Sequence, residues 1–137
     1  VTLVQEEYGK MPITENTLPY MVNIIKMSGE GKFVFNYGAP ALIVLASQAN
    51  YANNFADVSC AMQNMMLACN ELDLGSCWVN QLRHLQDNER IIKRLRELGM
   101  GEDEKVYASL AMGYPDLPNG LNRRELDIKG NPVTYID

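Results

Sequence analysis

Residue types able to do acid–base or nucleophilic chemistry are sparse in this sequence. It carries one histidine, His84, and three cysteines, Cys60, Cys69 and Cys77. His84 stands in a polar stretch with no recognisable cysteine- or serine-enzyme pattern around it, so it reads as a surface or helix-start residue. The cysteines are odd in number and contain no Cys-x-x-Cys pair, which is not the pattern of a disulfide framework. With a single histidine there is no zinc constellation either. All three thiols read as small core hydrophobes in a reducing cytoplasm. Nucleophile elbow, P-loop and dinucleotide Gly-rich fingerprints are missing as well. What remains is the run Gly75-Ser76-Cys77-Trp78-Val79-Asn80-Gln81 and the cations Arg123, Arg124 and Lys129. Taken alone, a glycine stop followed by apolar residues is ordinary structure, and loop arginines are ordinary solvated charges.

The run from Gly75 follows the most apolar stretch of the chain. From Phe55 to Leu72 the apolar positions cover most of a helical circumference, with Met62, Met65 and Met66 among them. A helix that is apolar all round is buried on more than one side. In a chain this short, that predicts a helix shared with a second subunit, its methionines giving an adaptable interface. Gln63 and Asn64 are then expected to be hydrogen-bonded across that interface or to connecting loops. Gly75 is the expected left-handed stop.

The other elements follow from the same periodicities. Val1 to Val4 alternate weakly, as in a strand, and the stretch from Glu6 to Pro12 reads as loop. Leu18, Met21, Val22 and Ile25 have helical spacing, with Pro19 early in that helix. The run from Ala41 to Ala46 is six apolar residues, expected as a strand covered on both faces. Asp87, or next to it Asn88, is the expected N-cap of a helix whose stripe is Ile91, Ile92, Leu95 and Leu98. The stretch from Lys105 to Met112 predicts a second buried strand, with Val106, Ala108, Leu110 and Met112 on one face. Gly113-Tyr114-Pro115 breaks it, and a short extended tail closes the chain. Alternating strands and helices predict an α+β fold, a layered α/β sandwich around a central sheet.

Composition narrows the partners. The 137 residues predict a single domain over 1–137, with 47% hydrophobic residues sufficient for a core. With 12 basic against 17 acidic residues, the chain lacks the basic face that nucleic acid needs. Lys93-Arg94-Leu95-Arg96 reads as the solvated side of a helix. No run reaches the length of a membrane span, and the N-terminus is not a signal peptide.

Four segments, in order, resemble the FMN-dependent nitroreductase family. They are FNYGAPALIVLAS (35–47), AMQNMMLACNELDLGSCWVNQL (61–82), SLAMGYP (109–115) and IKGNPVTYI (128–136). The resemblance implies a nitroreductase-like sandwich whose long central helix lies in a homodimer interface, with the C-terminal tail across the partner subunit. It implies FMN as cofactor, NADH or NADPH as hydride donor, and a nitroaromatic, quinone or similar small acceptor in a second half-reaction. By the same resemblance Gly75, Ser76, Cys77, Trp78, Val79, Asn80 and Gln81 pass the flavin ring, with backbone groups of Val79 to Gln81 facing its N5. Trp78 either walls the pocket or fills the core. Lys129, with Arg124, is expected at the flavin phosphate.

The chain departs from the family pattern in three places. Relatives often carry Arg where Ile128 stands, and many carry Gly where Asn80 stands. They usually begin with an Arg-rich phosphate-holding segment and a Ser/Asn loop, neither of which is present in these residues. The chain is therefore expected to be the later part of a longer protein. A flavin can carry the chemistry by itself, so no ionisable catalytic side chain is required. A flavin-free dimeric binding or scaffold protein of the same fold is the alternative that these departures favour.

Overall fold

The computed structural model describes residues 1–116; the predicted tail, with Arg123, Arg124 and Lys129, lies outside them. Among the described residues the order is α1 (Thr2–Gly9), α2 (Pro19–Gly29), β1 (Ala41–Gln48), α3 (Asn54–Glu71), β2 (Gly75–Val79), α4 (Gln81–His84), α5 (Glu89–Glu97) and β3 (Glu104–Gly113). The three strands form one antiparallel sheet in the order β1-β3-β2. The last strand in sequence is thus the middle one in space. One face of the sheet packs on α3, through Leu45, Val58, Met62, Cys69, Ala108 and Leu110. The other face packs on α1, α2, α4 and α5, through Tyr8, Ile25, Leu82, Ile91, Leu95 and Val106. The α+β sandwich read from the sequence is therefore correct.

Several local expectations change. The first residues form helix α1 instead of a strand, because Val4, Glu7 and Tyr8 share one helical face and turn it inward. A four-residue alternation is too short to outweigh that burial. Among the described residues strand β1 lies at the edge of the sheet; Leu42 and Val44 pack on one core and Leu45 on the other, but Ala41 and Ile43 are exposed, so it is covered on both faces only in part. Strand β2 was not apparent in the sequence; its Gly-Ser opening hides a short ladder against β3. The pairing of β1 with β3 shifts register between Leu45 and Ala46, so Val106 leaves the face of Ala108 and Leu110 and joins the opposite core.

Helix ends differ in detail too. Asn88, rather than Asp87, caps α5, its side-chain oxygen accepting from the Ile91 N–H at 3.1 Å. Helix α3 ends before Gly75: Asp73 takes the left-handed conformation at φ 55°, and the Leu74 N–H reaches back to the Cys69 carbonyl at 2.8 Å. Gly75 is left free to open β2. Within the chain α3 buries only one side, so its apolar surface is not covered all round. Cys69 is buried, but Cys60 and Cys77 are exposed, against the core reading of those two thiols. Gln63 and Asn64 are also exposed.

Helix α1 is held by polar and close-packed contacts. Gly9 crosses Gly29 so closely that a Cβ on Gly9 would stand 2.6 Å from the Gly29 nitrogen. At its buried face, the Glu7 carboxylate accepts from Lys10 at 2.8 Å, from Asn88 at 2.9 Å, and from Arg90. The hydrogen bonds from Lys10 and Asn88, joined by that from Arg90, hold its pKa at about 2 against the opposing effect of burial.

Two outcomes follow from these contacts. Gly9→Ala should destabilise the fold by about 1–3 kcal/mol, since backbone and not a flexible side chain must yield; urea denaturation measures this. Glu7 has a folded pKa below the ordinary 4.5, so its stabilisation is complete above that value and is lost as pH falls from 4.5 through about 2. Glu7→Gln should flatten that part of the stability-against-pH curve.

Candidate functional site

The seven residues singled out between Gly75 and Gln81 do not gather at one point. The β2–β3 ladder runs from Gly75 opposite Gly113 to Val79 opposite Ser109. At about 3.3 Å per residue the strand separates its two ends by more than 10 Å. Gly75, Ser76 and Cys77 lie at one end of the sheet, in an open groove with Tyr37, Pro40 and Tyr114. Val79, Asn80 and Gln81 lie at the other end, where the chain leaves the ladder and enters α4.

Alternation along β2 decides where its side chains go. Trp78 is half-buried and packs against the core under α3, whereas Val79 is buried in the opposite core. Trp78 thus does much of the filling that the sequence left open between core and pocket wall. Its indole N–H donates to the Asn80 side-chain oxygen at 2.9 Å, which fixes the exposed Asn80 side chain. Gln81 is the unusual member. It is only 8% exposed, and its side-chain oxygen is fully buried with no hydrogen-bond partner. A buried acceptor left in this state costs about 1–3 kcal/mol, so polar environments of this kind are scarce in native folds.

Sequence reasoning missed the residues that hold this turn. Arg83, on α4, stacks its guanidinium 4.6 Å from the centre of the Phe55 ring at the start of α3. His84 is half-buried rather than a solvated surface residue, and its Nδ1 lies 2.9 Å from the Tyr8 hydroxyl on α1. Burial and the neighbouring Arg83 lower the His84 pKa, while burial and Tyr20 raise that of Tyr8. The partners are 76 positions apart in sequence, so no spacing rule links them. No group of three or more His, Cys, Asp or Glu able to hold a metal ion exists among the described residues. Among the same residues, no helix is long and apolar enough to cross a membrane.

Among the described residues, an antiparallel three-stranded sheet between one long helix and a layer of shorter ones makes an α+β sandwich, with the polar Asn80-Gln81 turn leaving one of its outer strands. Residues 5–114 match the model of the nitroreductase family, and the chain belongs to that family. Comparison with curated proteins found no match. Among solved structures, the chain is similar to a nitroreductase with bound FMN from Bacteroides fragilis, at 25% identity and a TM-score of 0.78, over 99% of this chain and 67% of that one. It is also similar in fold to a nitroreductase with bound FMN from Desulfitobacterium hafniense, at 17% identity and a TM-score of 0.66, over 98% of this chain and 67% of that one. A putative NADH dehydrogenase/NAD(P)H nitroreductase from Bacteroides thetaiotaomicron shares the fold at 17% identity and a TM-score of 0.52, over 98% of this chain and 68% of that one.

The unpaired Gln81 oxygen gives a direct test of whether this turn is built for stability. Gln81→Leu keeps the volume and removes the orphaned acceptor, so it should raise the unfolding free energy by about 1 kcal/mol. A loss of stability instead would mean that the amide already has a partner in solution.

Proposed function

We propose that this chain is part of an FMN-dependent oxidoreductase that takes hydride from NADH or NADPH and passes electrons to a nitroaromatic, quinone or similar small acceptor. The observation that carries the reading is the likeness, over 99% of this chain, to a nitroreductase crystallised with FMN. The residues on β2 and α4 are compatible with that cofactor. Asn80 and Gln81 lie beyond the ladder, so their backbone groups are not committed to strand pairing.

When bound, FMN would supply hydride acceptance and transfer, and the protein would supply orientation. In this reading the backbone of Val79 to Gln81 meets the N5 edge of the ring. Trp78 holds Asn80 in place beside it. Arg124 and Lys129 neutralise the phosphate. Gly75, Ser76 and Cys77, at the far end of β2, support the strand and do not touch the same part of the ring. No residue of the chain needs to move a proton in the hydride step.

The same proposal includes a homodimer. Along α3, Phe55, Leu67 and Leu72 are 43%, 58% and 68% exposed, an apolar surface that suits burial against a second copy. A flavin site shared between subunits would then be complete only in the dimer.

The deciding experiment is a visible spectrum of the purified chain after addition of FMN and gel filtration. The expected result is a flavin band that co-elutes with a dimer and bleaches on addition of NADH or NADPH. A colourless dimer would support the flavin-free binding protein instead, and a colourless monomer would overturn both.

A further inference from the structure

Helix α4 is four residues long and begins where the β2 ladder ends. One helical turn is too short to be stable by itself, so its orientation is set by what its side chains touch. Leu82 is buried against the core shared with α1 and α5. Arg83 reaches the Phe55 ring of α3, and His84 reaches the Tyr8 hydroxyl of α1. The residues directly after Gln81 are therefore tied to both helical layers. On the other side of the turn, Trp78 ties down Asn80.

We propose that Tyr8 and His84 are positioning residues for the Asn80–Gln81 turn, and that a proton on His84 loosens the surface this turn offers to FMN. The inference rests on the reading of that turn as a flavin contact. In the Nε2–H tautomer of the neutral imidazole, which the proposal takes, the Tyr8 hydroxyl donates to Nδ1 at 2.9 Å. Protonation makes Nδ1 a donor. The hydroxyl must then rotate to accept, and its own proton loses its partner. The resulting imidazolium also stands half-buried beside the Arg83 guanidinium, in agreement with a His84 pKa lowered by burial and by Arg83.

The charged groups on the neighbouring elements do not offset this. On α1, Glu7 is taken up by Lys10, Asn88 and Arg90. On β3, Glu104 accepts from the Gly101 N–H and Lys105 pairs with Asp87. Tyr20, on α2, raises the pKa of Tyr8. Among the described residues, no carboxylate is bonded to His84. The folded chain thus keeps His84 neutral to lower pH than the unfolded chain does. The tie is intact above the ordinary value of 6.5 and is lost as pH falls below it through the lowered folded value.

Trp78 is the single tryptophan of the chain and is bonded into the same turn, so its emission reports the turn without any flavin. The experiment titrates the full chain with circular dichroism to confirm folding, Trp78 emission to read the turn, and flavin fluorescence quenching to read FMN affinity. The expected result is one emission step below pH 6.5, with FMN affinity falling about fivefold through the same window, the size of one net hydrogen bond. Tyr8→Phe keeps the ring packing but removes the tie, so it weakens FMN binding at neutral pH by about the same factor and abolishes the emission step. His84→Gln still accepts from Tyr8 and does not titrate, so it abolishes the step and keeps neutral-pH affinity within about twofold.

Emission that is flat in pH while the chain stays folded, or a step that persists in His84→Gln, overturns the proposal whether or not FMN binds. If emission titrates as expected but FMN does not bind at any pH, the flavin reading fails and takes the FMN part of the proposal with it. If FMN binds and bleaches while its affinity is flat in pH, the flavin reading stands and the positioning role falls.

Discussion

Among the described residues, strand β3 alone has a neighbour on each edge and a helical layer over each face. Val106, Ala108, Ser109, Leu110 and Ala111 are all almost fully buried along it. Removing Val106 and Leu110 from water in this way contributes about 1.5–3 kcal/mol each. The strand's register then places everything else. Ser109 opposite Val79 fixes where β2 ends, and that point fixes where α4 begins. The bulge near Val106 turns one side chain to the face of α1 and α5, so the two cores are staggered along the strand instead of being back to back.

The two layers are attached by different physics. Helix α3 meets the sheet through apolar contacts, with Met62 and Cys69 at its buried side. Such contacts are indifferent to pH. Helix α1 meets its neighbours through Tyr8 packing, the close crossing of Gly9 over Gly29, and a carboxylate shared among Lys10, Asn88 and Arg90. A layer held by ionisable and hydrogen-bonding groups responds to protons, while the layer across the sheet does not. Helix α4, which follows Asn80, is tied to both through Arg83 and His84, so it couples the response of one layer to the other.

This asymmetry also decides what could be read from the sequence. Periodic apolar burial is written along the chain, which is why α2, α3, α5, β1 and β3 were legible from spacing alone. Helix α1 was misread because only Leu3 and Val4 carry an early apolar signal, while Glu7 is buried by partners eighty positions away. Strand β2 was hidden because its pattern depends on pairing with a later strand, and because Asp73 rather than Gly75 takes the left-handed turn. The candidate site was found through resemblance, not through chemistry, since it contains no reactive pair. Resemblance pointed to the whole run from Gly75 to Gln81, whose two ends the strand carries to opposite ends of the sheet. The ties from Tyr8 and Arg83 are tertiary and leave no trace in local spacing.

The scarcity of reactive side chains and the orphaned oxygen of Gln81 belong to one argument. A core polar atom without a partner is normally removed by selection for stability, because an apolar residue of similar size avoids its desolvation cost. Gln81 sits one residue past an exposed Asn80 held by an indole, and directly before a turn of helix anchored on two layers. The structure invests rigidity there without placing a nucleophile, an acid or a metal ligand there. Gln81 shares its unpartnered buried oxygen with Ser28, Asn36, Gln86 and Ser109, so what sets this turn apart is how it is held: the Asn80 carbonyl accepts from the His84 N–H at 3.2 Å, and the Trp78 indole fixes the Asn80 side chain. A turn held in this way is suited to a planar, hydrogen-bonding group that brings its own reactivity. Catalytic power of that kind resides in the cofactor, and the polypeptide contributes a fixed orientation.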